Sequence, residues 1–196
     1  GSGRDGPTPV TLALAGAAVS ALMHGLVSAL VLLDRQSLDA FRFWQVGGIA
    51  GRELDLLWQV LPFLLLGLVL AGANAAGLNA LALGDDVARS LGQRVALTRV
   101  VGVVATTLLV GGAVAVCGPI GFLGLVVPHA ARALTGPDHR WLLPFAGVLG
   151  AIVLLVADIV GRVVARPGEL EVGVVLALVG APFFIALARR GRVVSL

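Results

Sequence analysis

The sequence contains no lysine, and all 14 of its basic side chains are arginines. A phosphate-binding loop of the G-x-x-x-x-G-K-[ST] type needs a lysine ammonium at the phosphates, so this chain is not itself a P-loop ATPase. Any such use of ATP belongs to another subunit. Charge of either sign is scarce: 13% of the 196 residues are charged, 58% are hydrophobic, and the mean hydropathy is +1.01. Soluble domains carry about 25% charged residues, so this composition describes an integral membrane protein. Cysteine is limited to Cys117, which excludes an internal disulfide and a thiolate cluster within the chain, and which reads as a small packing residue. The first residues lack the charged, apolar and small-residue order of a signal peptide, and 1–9 reads as a loop. The net charge of +3 comes from arginines scattered through loops. They form no basic face interleaved with aromatics, so the basicity reads as membrane topology and not as nucleic-acid binding.

One charged island interrupts the apolar sequence, at residues 78–94. Leu81 and Leu83 belong to a short Leu-rich turn that Gly84 stops. Asp85 and Asp86 follow where a helix N-terminus favours acceptors and negative charge, and Gly92 stands where a helix takes a left-handed stop. The spacing predicts a helix of under two turns centred on Ala88. Val87 and Leu91 share one face, and Asp85 or Asp86 pairs with Arg89 on another. A helix this short needs packing partners. It is either an amphipathic loop laid on its own bundle or a docking surface for a soluble partner.

Around the island the apolar runs predict an all-α, polytopic membrane helical bundle of about six spans. The first, 10–33, is long enough to cross a bilayer, which takes about 20 helical residues. It carries Gly16, Ser20, His24 and Ser28 at four-residue spacing, a stripe that reads as a helix–helix seam or as the lining of a polar path. Residues 34–55 read as a polar connection with interface aromatics Phe41, Phe43, Trp44 and, just beyond, Trp58. Further spans are expected at 56–73, with Pro62 in its first turns, and at 96–117, where Gly102, Gly111 and Gly112 allow close helix approach. A short run at 122–134, broken by Pro128, belongs inside the bundle. Residues 135–140 form a turn by composition. Spans at 141–161, ending on Asp158 and Arg162, and at 172–188, containing Gly180 and Pro182, complete the set.

With six spans both termini share one face. That face holds Arg4, Arg89, Arg94, Arg99, Arg132, Arg140, Arg189, Arg190 and Arg192, against Arg35, Arg42, Arg52, Arg162 and Arg166 on the other. The positive-inside rule then puts the island and both termini of this multi-pass protein in the cytoplasm.

The order of these features resembles the FecCD family of ABC-importer permeases, which take up iron-siderophores, haem and cobalamin. The residues that carry the resemblance begin with Gly118-Pro119-Ile120-Gly121-Phe122-Leu123-Gly124-Leu125-Val126-Val127-Pro128-His129-Ala130-Ala131-Arg132. Gly136-Pro137-Asp138-His139-Arg140, Ala157-Asp158-Ile159-Val160-Gly161-Arg162 and Gly180-Ala181-Pro182-Phe183-Phe184 follow in the family's order. Family members usually have about ten spans, and this sequence looks like the last six. The resemblance implies a permease domain over 1–196, with cytoplasmic coupling helices at 78–94 that sit in a groove of a separate ATPase subunit, Leu81, Gly84, Asp85, Asp86, Ala88, Arg89, Leu91 and Gly92 among them. It implies no cofactor in this chain, since ATP and magnesium reside on the ATPase. It also implies a periplasmic or lipid-anchored substrate-binding protein that meets Arg162, and a second permease copy as homodimer or pseudo-dimer. The first and last spans resemble the helices lining the family's path, which gives His24, Ser28, Gly180 and Pro182 a place along it. Where the family commonly has proline two residues after the glutamate at Glu169, this chain has Glu171.

Other readings of the same residues remain. Arg162 serves equally as a partner of Asp158 or as a snorkelling end-anchor. His24 and Asp158 describe a proton relay in a secondary transporter. Ser20 and His24 lack the G-x-S-x-G elbow and the oxyanion donors of a hydrolase. His24, His129 and His139 lack ligand spacing for a metal.

Overall fold

The computed structural model describes residues 9–51 and 54–189, which form eight helices, with no strand among the described residues. Both chain ends, with Arg4, Arg190 and Arg192, and the loop residues Arg52 and Glu53 lie outside the described residues. The protein is an all-α, multi-pass membrane bundle. Four helices are long and apolar enough to cross a membrane, and a shorter apolar stretch runs over Val172–Pro182. The chain divides into two compact units, Gly1–Phe43 and Trp44–Leu196.

The first unit holds α1 (Pro9–Leu32) and most of α2 (Arg35–Val46). The second helix departs from the expected connection at 34–55. Asp34 caps it: its carboxylate accepts from the Ser37 N–H at 2.9 Å and from the Ser37 hydroxyl at 2.7 Å. These bonds hold the Asp34 carboxyl below its ordinary pKa. The polarity that made the stretch look like a loop lies on one side of an amphipathic helix.

The second unit is built on an antiparallel hairpin of α3 (Leu54–Leu81) and α5 (Val95–Cys117). α3 runs well past the expected end at 73 because the polar Asn74 finds a partner: its amide donates to the Thr98 carbonyl at 3.0 Å, and both residues are buried. Left unpaired, a buried amide costs about 1–3 kcal/mol. Glycines set the register of the seam. A Cβ at Gly77 would meet Thr98, one at Gly67 would meet Leu109, and one at Gly112 would meet Leu64 and Val60. Gly111, expected to share this role, faces open space. Since α3 starts at Leu54, Pro62 lies in its third turn.

α6 (Leu123–Thr135) packs on α7 (His139–Val164), and α7 packs on α3 and on α8 (Val172–Arg189). α6 is the short, Pro128-containing helix expected, but only Val127 and Ala131 are buried along it, so one face meets the bundle and the other does not. α7 starts two residues earlier than expected because Asp138 caps it, accepting from the Arg140 N–H at 2.9 Å. A cluster of Ala157, Val172, Val175 and Leu176 joins α7 to α8, with Ile120 and Leu123 packed against it.

One end of this unit gathers the C-terminus of α3, the N-terminus of α5 and the N-terminus of α7. The other end is stitched by backbone. Gly48 N–H donates to the Cys117 carbonyl at 2.8 Å, Gly173 N–H donates to the Gly47 carbonyl at 3.0 Å, and the Trp44 indole donates to the Val114 carbonyl at 3.1 Å. Gly118 ends α5 there with φ 74° and ψ 178°, a region open essentially to glycine alone, and the Trp44 carbonyl occupies the space a Cβ would need.

Gly118→Ala should therefore destabilise the unit by more than about 2 kcal/mol, the sum of a left-handed penalty and a backbone collision. Gly111→Ala should change stability by less than about 0.5 kcal/mol. Denaturant titration in detergent distinguishes the two.

Candidate functional site

Between α3 and α5 the chain forms α4 (Asp85–Ser90), six residues long. The expected stop at Gly92 is present in full. Gly92 has φ +79°, its N–H donates to the Arg89 carbonyl at 2.9 Å, and the Gln93 N–H donates to the Ala88 carbonyl at 3.0 Å. That bond pattern is the Schellman closure. At the other end Gly84, with φ 103° and ψ 153°, occupies the N-cap, and its carbonyl accepts from the Ala88 N–H at 2.9 Å. Leu81 ends α3, and its carbonyl accepts from the Gly84 N–H at 3.0 Å, closing the short turn through Leu83.

Two contacts seat this helix. Ala88, 0% exposed, packs with Ala80 of α3 and Val95 of α5, with Leu81 alongside. Asp85 accepts two bonds from the Arg99 guanidinium of α5, at 2.7 and 2.8 Å. Arg89 lies 3.2 Å from Asp86 and 3.9 Å from Asp85, so both expected pairings form. Arg99 is the partner that helical spacing could not reveal, since it lies 14 residues from Asp85 on another helix. With Ala88 turned inward, Val87 and Leu91 are left exposed at 44% and 60%.

A second polar group lies at the same end. The Asn79 amide donates to the Asp138 carboxylate at 2.6 Å, and its oxygen accepts from the His139 backbone N–H at 2.8 Å. The His139 ring Nδ1 is also 2.8 Å from that oxygen. The donors settle the chemistry: an ionised carboxylate only accepts and a backbone N–H only donates, so the amide orientation is fixed and Nδ1 carries hydrogen. Bonds from the Arg140 N–H first and the Asn79 amide second hold the Asp138 carboxyl below its ordinary pKa of 3.8. The capping rule applied to Asp138 before an apolar run would have found this cap. An asparagine inside an apolar helix was the available sign at Asn79.

The remaining expected positions are dispersed. At the opposite end, Arg162 Nε donates to Asp158 at 2.8 Å, the pairing the alternative reading foresaw. The nearby Glu171 carboxylate lies against Gly48. On α8, Gly180 is buried under Phe122, which enters α6 with a left-handed φ of 61°, while Pro182 is exposed. His24 and Ser28 are exposed on α1 in the other unit. Among the described residues no three His, Cys, Asp or Glu side chains are grouped to hold a metal ion.

Comparison with known proteins bears on the whole chain. A sequence model of the FecCD transport family matches residues 1–190. The chain is 47% identical over 187 residues to the ferric enterobactin transport system permease protein FepD of Escherichia coli strain K12, covering 93% of this chain and 54% of that protein. It is 43% identical over 189 residues to YfiZ of Bacillus subtilis strain 168, a permease protein assigned to a siderophore transport system, covering 96% of this chain and 57% of that one. A solved inward-facing conformation of a transporter assigned to the metal-chelate type of ABC transporters superposes with a TM-score of 0.81 at 33% identity, over 93% of this chain and 61% of the other. The chain thus spans about half the length of the curated relatives it matches.

Two outcomes are expected at this end of the bundle. Arg99→Ala should release α4, with amide exchange at Ala88 rising about fivefold, the size of an exposed charge pair worth roughly 1 kcal/mol. For Asp138 the folded pKa is depressed, so its cap is complete above the unfolded value and is lost only as pH falls through the lower folded value. Exchange protection of the Arg140 amide, corrected for intrinsic rate, should stay flat from about pH 7 to about pH 5.

Proposed function

The chain belongs to the FecCD transport family, and from that premise we propose that it is the membrane-spanning permease part of an ATP-driven importer of iron-siderophore, haem or cobalamin-type chelates. The observation that carries the proposal is α4. It is a short helix held rigidly from behind by Ala88 and the Asp85–Arg99 pair, and it turns Val87 and Leu91 outward beyond the apolar spans. An apolar, charge-rimmed patch on a firmly seated helix fits a groove in a soluble partner. The partner is an ATP-binding cassette subunit that carries the nucleotide and magnesium, which a lysine-free chain has no loop to hold. Leu81, Gly84, Asp85, Asp86, Ala88, Arg89, Leu91 and Gly92 form this coupling element. Closure of the ATPase pushes α4 and, through the Ala80–Ala88–Val95 packing, moves the ends of α3 and α5.

The same reading puts this end and both termini in the cytoplasm, in line with Arg89, Arg94, Arg99, Arg132 and Arg140 gathered there. The opposite end then receives a periplasmic or lipid-anchored binding protein. Arg162, 46% exposed while bonded to Asp158, keeps a free edge of guanidinium for an acidic partner residue. A second permease copy completes the path, and the exposed Pro182 of α8 is the residue of this unit offered to it, Gly180 being covered by Phe122. The proton-relay alternative loses support because Asp158 is already committed to Arg162.

Ala88→Pro in the full-length permease removes the Ala88 N–H bond to Gly84 and opens α4, a backbone change of about 3 kcal/mol. Chelate uptake into ATP-loaded proteoliposomes should fall to background, and the loaded binding protein should no longer stimulate ATP hydrolysis. Unchanged uptake and stimulation would contradict the proposal, as would wild-type uptake that needs a proton gradient and no ATPase.

A further inference from the structure

α4 touches α3 and α5, yet the opposite end of the molecule is organised by α7, which carries Asp158 and Arg162 and buttresses α8. α7 has 26 residues, about 39 Å at 1.5 Å per residue, so it reaches from one end of the bundle to the other. Some contact must hand the displacement of α4 to it. Apolar packing between α3 and α7 lets the two helices slide, because methyl groups have no preferred register. A network of donors and acceptors does not, since each group has a single partner in a single place. Among the described residues, the side-chain hydrogen bonds that join α3 to α7 all run through Asn79. Asn79 adjoins Ala80, whose methyl packs on Ala88. The chain of contact is thus continuous: Ala88 to Ala80, one residue back to Asn79, and across to Asp138 and His139 at the first turn of α7.

We infer that Asn79 and Asp138, with the backbone N–H and ring of His139, are positioning residues that lock the end of α3 to the start of α7 and so convey motion of α4 to the far end of the permease. The inference rests on the coupling role proposed above and adds the route by which the movement travels. Asp138 both caps α7 and holds Asn79, so α7 cannot shift relative to α3 without uncapping itself. The two bonds of the Asn79 oxygen to His139 fix the rotation of α7 as well as its height.

Asp138 Oδ1 takes both hydrogens, from the Asn79 amide and from the Arg140 N–H, so the lock requires an oxygen at that one position. Asn79→Asp alone removes the donor and sets two carboxylates in contact, so the lock opens. Asp138→Asn alone keeps an oxygen that accepts from both Asn79 and Arg140, and is mild. Asp138→Ala removes that oxygen, so it frees the Asn79 amide and uncaps α7 together. The experiment measures uptake and ATP hydrolysis per assembled complex of full-length permease, ATPase and binding protein in proteoliposomes, with ferric enterobactin as the first probe and a cobalamin as the second.

Asn79→Asp should lower uptake per ATP hydrolysed by about fivefold or more, the scale of couplings carried by such networks. Asp138→Asn, which keeps the oxygen, should stay within about twofold of wild type, Asp138→Ala should be uncoupled like Asn79→Asp, and Asn79→Leu combined with Asp138→Ala should be little worse than either alone, the non-additivity expected of a direct pair. Asn79→Leu, which cannot bond to either partner, should behave like Asn79→Asp and guards against an effect of charge alone. If Asn79→Asp and Asn79→Leu lower uptake and hydrolysis in parallel with an unchanged ratio, the residues are merely structural and the inference is overturned. It is overturned equally if the losses of Asn79→Leu and Asp138→Ala add in full in the double variant. Wild-type complex that shows no ATP-driven uptake of any chelate would instead sink the proposed function, and the inference with it.

Discussion

The close approach of α3 and α5 is the constraint on which the second unit depends. Its glycines bring the two helices near enough for the Asn74 amide to reach a main-chain carbonyl, and that bond lets a helix carry a buried polar residue onward for two more turns. Were α3 to end where its apolar character first weakens, Ala80 and Asn79 would not reach the end of the bundle. Ala88 would have nothing to pack on, and Asp138 would lack its partner. The seating of α4 is thus a consequence of the seam, and so is the polar lock on α7.

The two ends of the unit are built by different means. One is held by backbone bonds and glycines in a region closed to other residues, as at Gly118, where the chain tolerates little adjustment. The other is held by side chains: an alanine in a small apolar nest, an aspartate gripped by arginine, and an amide between a carboxylate and an imidazole. Side-chain locks of this kind move as units and re-form, which suits an end that takes up and passes on displacement.

Much of this was legible in the amino-acid order wherever the relevant partners are local. The Gly92 stop, the Asp86–Arg89 pairing, the Asp158–Arg162 pair and the short Pro128 helix all lie within a turn or two of the residues that announce them. What escaped is non-local or disguised. Arg99 and Asp138 meet partners on other helices, and no periodicity within one helix indicates which neighbour it will face. An isolated polar residue such as Asn74 looks like the end of an apolar span until its acceptor is in view. The polar side chains of α2 make it look like a connection, and the local sign of a helix there is the Asp34 cap. The family motifs identified the architecture well, and they carried no information on which of their residues hold one another.

The proposed coupling role requires α4 to lie on the cytoplasmic side and to be covered by an ATPase. The direct measurement places a single cysteine at Val87, in a full-length permease with Cys117 replaced by serine, and labels it with a membrane-impermeant maleimide. The account predicts no labelling in intact spheroplasts, strong labelling in inside-out vesicles containing permease alone, and protection when the ATPase subunit is bound. Labelling from outside the cell, or labelling from inside that the ATPase leaves unchanged, would contradict it.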